Sequence, residues 1–270
     1  HTRAMLDKLN GSGHIYALDV DPIESEKTKK RLNDLGYGDD ILTVRLQNFA
    51  DIDKVAADTG KKFNFVLADL GVSSMQIDNP ERGFSYKVDG PLDLRMNPRK
   101  GKSGAERLQE LTYAEIVGML TENSDEPYAE QIARTIMRWR NKGTFIATTT
   151  QLRECITEAL DFLPKGEKKE IIKKSCQRTF QAIRIDVNSE FEVLYSFLEK
   201  LPGILAPGGR AAILTFHSGE DRLVKRSFKE LHREGVYSDV ARDVIRPTPE
   251  ECVKNPRSKS TKMRWAIKAE

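Results

Sequence analysis

The chain has 270 residues, of which 39% are hydrophobic and 31% charged, and its mean hydropathy is -0.53. These values are typical of a globular protein and exclude an intrinsically disordered chain. The length predicts about two domains, or one large domain with an insertion. No apolar run approaches the roughly 18 residues of a spanning helix, so we expect no membrane association. A formal net charge of +3 gives no indication of a nucleic-acid partner by itself.

Cysteine spacing and the first residues bear on the cellular compartment. Cys155, Cys176 and Cys252 are odd in number and form no Cys-x-x-Cys pair, which argues against a disulfide framework and against a zinc site. Residues 1–9 have neither the apolar stretch nor the cleavage site of a signal peptide. We therefore expect a protein of the reducing cytoplasm, without a metal site.

Short apolar runs alternate with helical segments in the first 70 residues. The predicted elements are a helix over 1–9, a strand over 15–18, a helix over 22–35, a strand over 41–44, a helix over 51–57 and a strand over 63–68. Asp19 and Asp69 directly follow the first and third of these strands. The alternation predicts an α/β fold with a doubly wound, Rossmann-like sheet.

This alternation of strands and helices ends after Asp69. Residues 70–102 are rich in Gly, Pro, Asp and Ser, which in a compact chain indicates a functional loop. Helices are then predicted over 105–111, 113–120, 127–139, 149–162 and 168–175. We expect a core formed by residues 1–90 and 181–270, with a small helical domain inserted at 91–180.

The sheet is predicted to resume near the C-terminus. A tight turn over 206–210 leads into a strand over 211–216, followed by a helix over 221–231. The apolar residues 265–267 are predicted to form an edge strand.

Open α/β sheets bind ligands beyond the carboxyl ends of their strands. Asp19 is therefore predicted to hold the ribose hydroxyls of an adenosine cofactor, or else to cap a strand or helix. The glycine-rich turn that normally accompanies such an acid does not precede it, and Gly11-Ser12-Gly13 follows a helix instead. We expect the first strand and its turn to be missing from this chain.

Asp69 is placed where a carboxylate would face both cofactor and substrate. The exocyclic amine of a nucleobase is a poor nucleophile, because its lone pair is delocalised into the ring. A hydrogen bond from its N–H to a carboxylate helps to localise that pair, and positioning does much of the remaining work. The alternative is that Asp69 caps the following helix.

Two clusters of basic residues indicate a polyanionic substrate, although a solvated surface is the alternative. One, over 253–269, has six cations and no acid, and the other comprises Arg95, Arg99, Lys100 and Lys102.

Seven sequence blocks, taken in order, resemble those of the bacterial MraW/RsmH family. They occupy residues 69–76, 80–86, 89–96, 179–188, 205–210, 216–222 and 255–260. Members of that family are S-adenosylmethionine-dependent methyltransferases that act on N4 of a cytidine in the decoding region of small-subunit ribosomal RNA. The resemblance implies a class I methyltransferase core with a helical insertion.

The resemblance also implies the site residues. By position, the cofactor contacts fall on His1, Asp19, Phe49, Asp69 and Gln76, with Asp69 as the catalytic residue. In the long loop, an extruded base and its phosphates are predicted to contact Arg82, Ser85, Asp89, Asp93 and Arg95. The alternative is a salt-bridged structural loop. His217 is predicted to contact substrate or to cap the next helix.

Two other functions remain open from the sequence. A nicotinamide-dependent oxidoreductase also uses an acid after its second strand, but no acid or base for hydride transfer is evident here. The third hypothesis is a non-catalytic RNA-binding module. Homodimerisation is left open.

Overall fold

The computed structural model describes residues 1–270, which form two compact units. Unit 1 consists of His1–Leu70 and Glu192–Glu270, and unit 2 consists of Gly71–Phe191. Unit 1 contains every strand, whereas the regular elements of unit 2 are helices. The predicted α/β class with a helical insertion is confirmed. None of the helices combines the length and apolar character needed to cross a membrane.

The first half of unit 1 is a parallel strand pair with three helices. Its elements are α1 (Thr2–Leu9), β1 (Ile15–Asp19), α2 (Pro22–Asp34), β2 (Leu42–Leu46) and α3 (Ile52–Thr59). β1 pairs with β2 in parallel. α2 begins after Asp21 because the Asp21 carboxylate accepts the N–H groups of Ile23 and Glu24, with Pro22 in the first turn.

The second half of unit 1 is a four-stranded mixed sheet. Its elements are β3 (Phe63–Asp69), α10 (Glu190–Ile204, which starts in unit 2), β4 (Leu205–Thr215), α11 (Ser218–Arg233), β5 (Tyr237–Val240), α12 (Pro249–Lys254) and β6 (Lys262–Lys268). The strand order is β3-β4-β6-β5. β3 and β4 are parallel, whereas β6 is antiparallel to both of its neighbours.

The predicted edge position of the last strand is wrong. β6 pairs with β4 on one side and with β5 on the other, so β5 is the edge strand. β5 has only four residues, Tyr-Ser-Asp-Val, a run too short and too polar for the sequence pattern to reveal it.

The carboxyl ends of β1 and β3 lie on the same side of unit 1. The ring of Tyr16, near the start of β1, is 5.8 Å from that of Phe63, at the start of β3. β2 runs parallel to β1 and β4 runs parallel to β3, so the carboxyl ends of each pair lie together. The core of unit 1 includes the buried Phe197, Leu201 and Ile213.

Unit 2 is built from helices with strong N-terminal caps. Its helices are α4 (Ser74–Asp78), α5 (Gly104–Glu110), α6 (Tyr113–Ser124), α7 (Ala129–Asn141), α8 (Thr149–Ala159) and α9 (Lys165–Asn188). α4, α5, α6 and α8 each begin with a capping box, in which a Ser or Thr hydroxyl accepts the N–H of the residue three positions on.

Unit 2 is wider than the predicted insertion over 91–180. It begins at Gly71 and ends at Phe191. One reason is that α9 runs without interruption for 24 residues, well beyond the predicted end at 175. α9 contains neither proline nor a left-handed residue before its end at Ser189, so nothing stops it earlier. Its buried Phe180 and Ile183 belong to the helical core.

Candidate functional site

Four of the predicted site residues follow the parallel strands of unit 1. Asp19 ends β1, Phe49 follows β2, Asp69 ends β3, and His217 follows β4. Because these strand ends lie on one side of unit 1, the two sheets present the four residues on the side where α/β folds bind ligands. Asp69 is the exposed residue of the four, whereas Asp19, Phe49 and His217 are partly buried.

Asp69 is the most exposed carboxylate of this group. Its side chain is 44% exposed, and its Oδ2 lies 3.3 Å from Nε2 of His1. The β3 ladder continues past it, since the Leu70 N–H donates to the Leu214 carbonyl. The following helix, α4, is capped by Ser73, so the alternative in which Asp69 caps that helix is wrong. Asp69 is therefore a rigidly held carboxylate that is open to solvent.

His1 is electrostatically coupled to this carboxylate. A hydrogen bond with Asp69 raises the pKa of His1 above its ordinary 6.5, an effect that partial burial opposes. The pair thus keeps an imidazolium next to Asp69 over a wider pH range than an isolated histidine would allow.

Asp19 and Asp21 have separate tasks. Asp21 is buried and caps α2, whereas Asp19 uses Oδ1 to accept the N–H of Asp21 at 2.8 Å. Burial raises the pKa of Asp19, although backbone hydrogen bonds oppose the shift. A half-buried carboxylate at this position gains from further donors such as hydroxyl groups.

Phe49 lies three residues after the end of β2. Its half-buried ring packs edge-on against Phe197, with 5.2 Å between the ring centroids. Asn48 fixes the turn, because its side-chain oxygen accepts the N–H of Ala50. The ring is thus anchored from the core side while part of it remains accessible.

His217 caps α11, one of the two roles predicted for it. Its side chain is only 9% exposed, its Nδ1 accepts the Glu220 N–H at 3.4 Å, and its Nε2 lies 3.4 Å from Glu220 Oε1. Glu220 in turn accepts the Phe216 N–H at 2.9 Å. Glu220 was not predicted from the sequence, although its position three residues after the cap is the spacing of a capping box.

The remaining predicted residues belong to unit 2. Gln76 is buried in the capping box of α4, where its side-chain oxygen accepts the Ser73 N–H at 2.8 Å. Asp89 lies beside the N-terminus of α8, and hydrogen bonds from the Thr150 and Thr148 side chains lower its pKa. The hydroxyl of Ser85 accepts the Lys87 N–H at 3.3 Å.

Arg82 is buried against residues 95 and 96, in a later part of the 70–102 segment. Its side chain donates to the carbonyl oxygens of Arg95 and Met96, at 3.1 and 2.9 Å. Its guanidinium also lies 5.7 Å from the centroid of the Phe84 ring. Arg82 is 6% exposed, so its charge is directed at the loop backbone.

Asp93 and Arg95 form a bidentate ion pair. Arg95 Nε and Nη2 each lie 2.8 Å from an oxygen of Asp93. The third nitrogen, Nη1, donates to the Gly101 carbonyl at 3.0 Å. This matches the salt-bridged loop that was the alternative to direct substrate contact.

Asn188, which no motif argument singled out, holds the same loop from the end of α9. Its side chain accepts the Met96 N–H at 2.7 Å and donates to the Leu94 carbonyl at 2.8 Å. Residues 89–96 and 179–188 are both among the seven blocks, yet only the three-dimensional structure shows that they meet.

The C-terminal basic cluster is partly neutralised within unit 1. Arg264 Nε lies 2.7 Å from Asp221 Oδ1, and Lys262 Nζ lies 3.4 Å from Asp221 Oδ2. Arg264 is also buried. These two cations stabilise the packing of β6 against α11 and add little to the surface charge.

Comparisons with known proteins agree along the whole chain. The model of the MraW methylase family matches residues 1–269. A protein of Agathobacter rectalis named ribosomal RNA small subunit methyltransferase H 1 is 66% identical over 270 residues, 100% of this chain and 77% of that protein.

More distant relatives are similar over nearly the same span. A protein of the same name from Lachnoclostridium phytofermentans is 65% identical, covering 100% of this chain and 73% of that protein. The ribosomal RNA small subunit methyltransferase H of Thioalkalivibrio sulfidiphilus is 39% identical, covering 98% of this chain and 87% of that protein.

Proposed function

Because this chain belongs to the MraW methylase family, we propose that it transfers the methyl group of S-adenosylmethionine to N4 of a cytidine in small-subunit ribosomal RNA. Membership of this family favours methyl transfer over the second hypothesis, a nicotinamide-dependent oxidoreductase. The mixed α/β architecture of unit 1 is that of a class I methyltransferase core. The observation that carries the proposal is the solvent-open Asp69 carboxylate at the ligand-binding edge of the sheet.

The donor groups of unit 1 fit S-adenosylmethionine. Asp19, whose half-buried carboxylate gains from hydroxyl donors, would hold the ribose. The accessible part of the Phe49 ring would contact the adenine, and His1 and Asp69 would contact the charged end. When bound, the cofactor supplies a methyl group activated by a sulfonium. Gln76 stays a predicted contact, since its side-chain oxygen is already used in the capping box.

Asp69 would orient the amine. His1 lies against Oδ2, which leaves Oδ1 to accept a hydrogen bond from the cytosine N4–H. That bond draws the nitrogen lone pair away from the ring and fixes its direction. Positioning of this kind supplies a large part of the rate enhancement in transfer reactions. The two interior thiols are buried in unit 2, and this mechanism needs no covalent nucleophile.

The loop residues of unit 2 divide into two groups. Ser85 and Asp89 remain predicted contacts for the cytidine, together with His217. We propose that Arg82, Asp93 and Arg95 act on the RNA through the shape of their loop, since their polar groups bond to it. An activity on ribosomal RNA would require the protein in the cytoplasm, which we propose as its location. Homodimerisation stays a prediction, which light scattering of the purified chain tests.

The test is methyl transfer from labelled S-adenosylmethionine to a fragment of small-subunit ribosomal RNA, followed by mass spectrometry of the nucleosides. We expect N4-methylcytidine as the labelled product. A product methylated at C5 or at the ribose would refute the N4 assignment. RNA binding without any transfer would favour the third hypothesis, a non-catalytic RNA-binding module.

A further inference from the structure

The loop over residues 93–104 of unit 2 is closed at its base. The Gly104 N–H donates to the Asp93 carbonyl at 2.7 Å, and the Ala105 N–H donates to the Leu92 carbonyl at 2.8 Å. Arg95 spans the loop from the Asp93 carboxylate to the Gly101 carbonyl. The loop therefore has a fixed outline that its own residues maintain.

Two side chains from outside the loop hold its first half. Asn188 accepts the Met96 N–H and donates to the Leu94 carbonyl. Arg82 donates to the carbonyls of Arg95 and Met96, while its own carbonyl accepts the Leu94 N–H at 3.1 Å. Three consecutive residues are thus anchored through their backbones.

Leu94 adopts a conformation that its side chain disfavours. Its φ is +65°, in the left-handed region, and it is only 1% exposed. Such strain persists only where the surroundings over-determine the backbone, most often at functional sites. The anchors from Asn188 and Arg82 are these surroundings.

The strained segment leads into a tight turn over residues 97–100. The Lys100 N–H donates to the Asn97 carbonyl at 3.2 Å, and the Arg99 N–H donates to the Asn97 side chain at 3.0 Å. Asn at the first and Pro at the second position favour this turn intrinsically. The turn presents Arg99 and Lys100 side by side.

Arg99 and Lys100 are the uncompensated cations of the loop. Both are exposed, and neither takes part in an ion pair. By contrast, Arg95 is neutralised by Asp93, and Lys102 lies 2.6 Å from Glu110. The loop therefore displays two positive charges on a rigid support.

We propose that this turn is a preformed binding site for the phosphodiester backbone of RNA, with Arg99 and Lys100 as the phosphate contacts. An arginine can bind a phosphate in a bidentate manner, and a lysine adds a mobile point charge. Because the backbone is already ordered, binding costs little conformational entropy. This inference rests on the proposed function, which supplies RNA as the ligand, and it adds Arg99 and Lys100 as residues that bind the RNA. Asn188 is a positioning residue for this site.

The first test compares two double variants that remove the same charge. Arg99→Gln/Lys100→Gln changes the turn, and Lys29→Gln/Lys30→Gln changes two exposed, unpaired cations on α2.

The RNA affinity of both variants is measured as a function of salt concentration with a small-subunit ribosomal RNA fragment. For the turn variant we expect about ten-fold weaker binding at low salt and a salt slope lower by about 1.5. The α2 variant should stay within about two-fold of the parent. Equal effects of the two pairs would overturn the proposal.

The second test probes whether the loop is preformed, without reference to RNA. Trypsin cuts after Arg99 and Lys100 only if the loop opens, so we expect the folded parent to resist cleavage there. Asn188→Ala should accelerate this cleavage at least about ten-fold through the loss of two hydrogen bonds. Asn188→Asp keeps the acceptor for Met96 and should give an intermediate rate. Prompt cleavage of the parent at these bonds would contradict a preformed loop.

The same preparations separate this inference from the proposed function. If the parent methylates RNA and the turn variant shows an unchanged KM for RNA, the phosphate site is refuted and the methyltransferase stands. If the parent binds RNA through Arg99 and Lys100 yet transfers no methyl group, the site is supported and the proposed function fails. A KM for RNA raised about ten-fold in the turn variant alone supports both.

Discussion

Asp69 and His1 form an ion pair at the carboxyl end of β3, with both side chains about half exposed. Solvent screening limits the contribution of such a pair to stability to about 1 kcal/mol or less. The importance of the pair is chemical, because it sets the charge next to the carboxylate that we assign to catalysis.

Titration of His1 tests this coupling. Since its folded pKa is raised by Asp69, the pairing is fully present below pH 6.5 and is lost as the pH rises through the folded value. We expect an NMR titration midpoint above 6.5 in the parent. Asp69→Asn should return the midpoint towards 6.5, and the exposed control Asp34→Asn should leave it at the parent value. The same midpoint in all three proteins would show that Asp69 does not act on His1.

The three cysteines differ in their surroundings. Burial raises the pKa of Cys155 to about 12 and that of Cys176 to about 11. Cys252 is half-buried near the surface of unit 1. Since the thiolate is the reactive species, the first two thiols should be inert in the folded protein.

Labelling with a thiol reagent at pH 8 checks this. We expect one rapidly reacting cysteine in the native chain and three after denaturation, with Cys252→Ser abolishing the native reaction. Rapid labelling of two or more cysteines in the folded parent would show that the core of unit 2 opens readily.

At the scale of elements, the capping boxes of unit 2 tie helix starts to short sequence signals. In α6, the Thr112 hydroxyl accepts the Glu115 N–H, and the Glu115 carboxylate accepts the Thr112 N–H at 2.7 Å. The hydrogen bond from the Thr112 N–H is the larger cause that lowers the pKa of Glu115 below 4.5, and the hydrogen bond with the Thr112 hydroxyl is the next.

Removal of this cap has a defined cost. Thr112→Ala should lower the free energy of unfolding by about 1 kcal/mol, whereas Thr112→Ser keeps the hydroxyl and should remain close to the parent. Urea denaturation measures both. Because the Glu115 pKa is lowered by folding, its contribution is present above pH 4.5 and is lost as the pH falls through the folded value. Equal destabilisation by the two variants would contradict the role of the hydroxyl.

The strands and helices before residue 70 were predictable because each has one clear hydrophobic period and ends at a turn signal. β1, β2 and β3 lie where the apolar runs indicate. The position of β6 inside the sheet was not predictable, since strand order depends on contacts distant in the chain. The length of α9 is a local property that was predicted too short: the predicted helix ended at 175, although no proline or left-handed residue follows before Ser189.

The residues of the candidate site also divide into those that the sequence could predict and those that it could not. Asp19 and Asp69 could be predicted, because an acid after an apolar strand marks the sheet edge. The closure of the loop by Asp93 and Arg95, and its anchoring by Asn188, could not, since a basic residue in a loop has the same sequence signature whether it faces RNA or its own backbone. The structure therefore moves the predicted phosphate contact from Arg95 to Arg99 and Lys100 as a proposal.

For the whole molecule, unit 1 is assembled from the two ends of the chain and unit 2 from its middle. The small net charge of +3 is a sum over the whole chain and conceals local differences: Arg95 is neutralised by Asp93, whereas Arg99 and Lys100 nearby are exposed and unpaired. The proposed function thus depends on the local placement of charge, and total charge is a poor guide to it.

The most direct test is the rate of methyl transfer by Asp69→Asn at saturating S-adenosylmethionine and ribosomal RNA, with Asp34→Asn as the matched control. Circular dichroism and the melting temperature verify that both variants are folded. We expect kcat to fall about a hundred-fold or more for Asp69→Asn and to stay at the parent value for Asp34→Asn. Transfer by folded Asp69→Asn at the parent rate would contradict the assignment of this carboxylate.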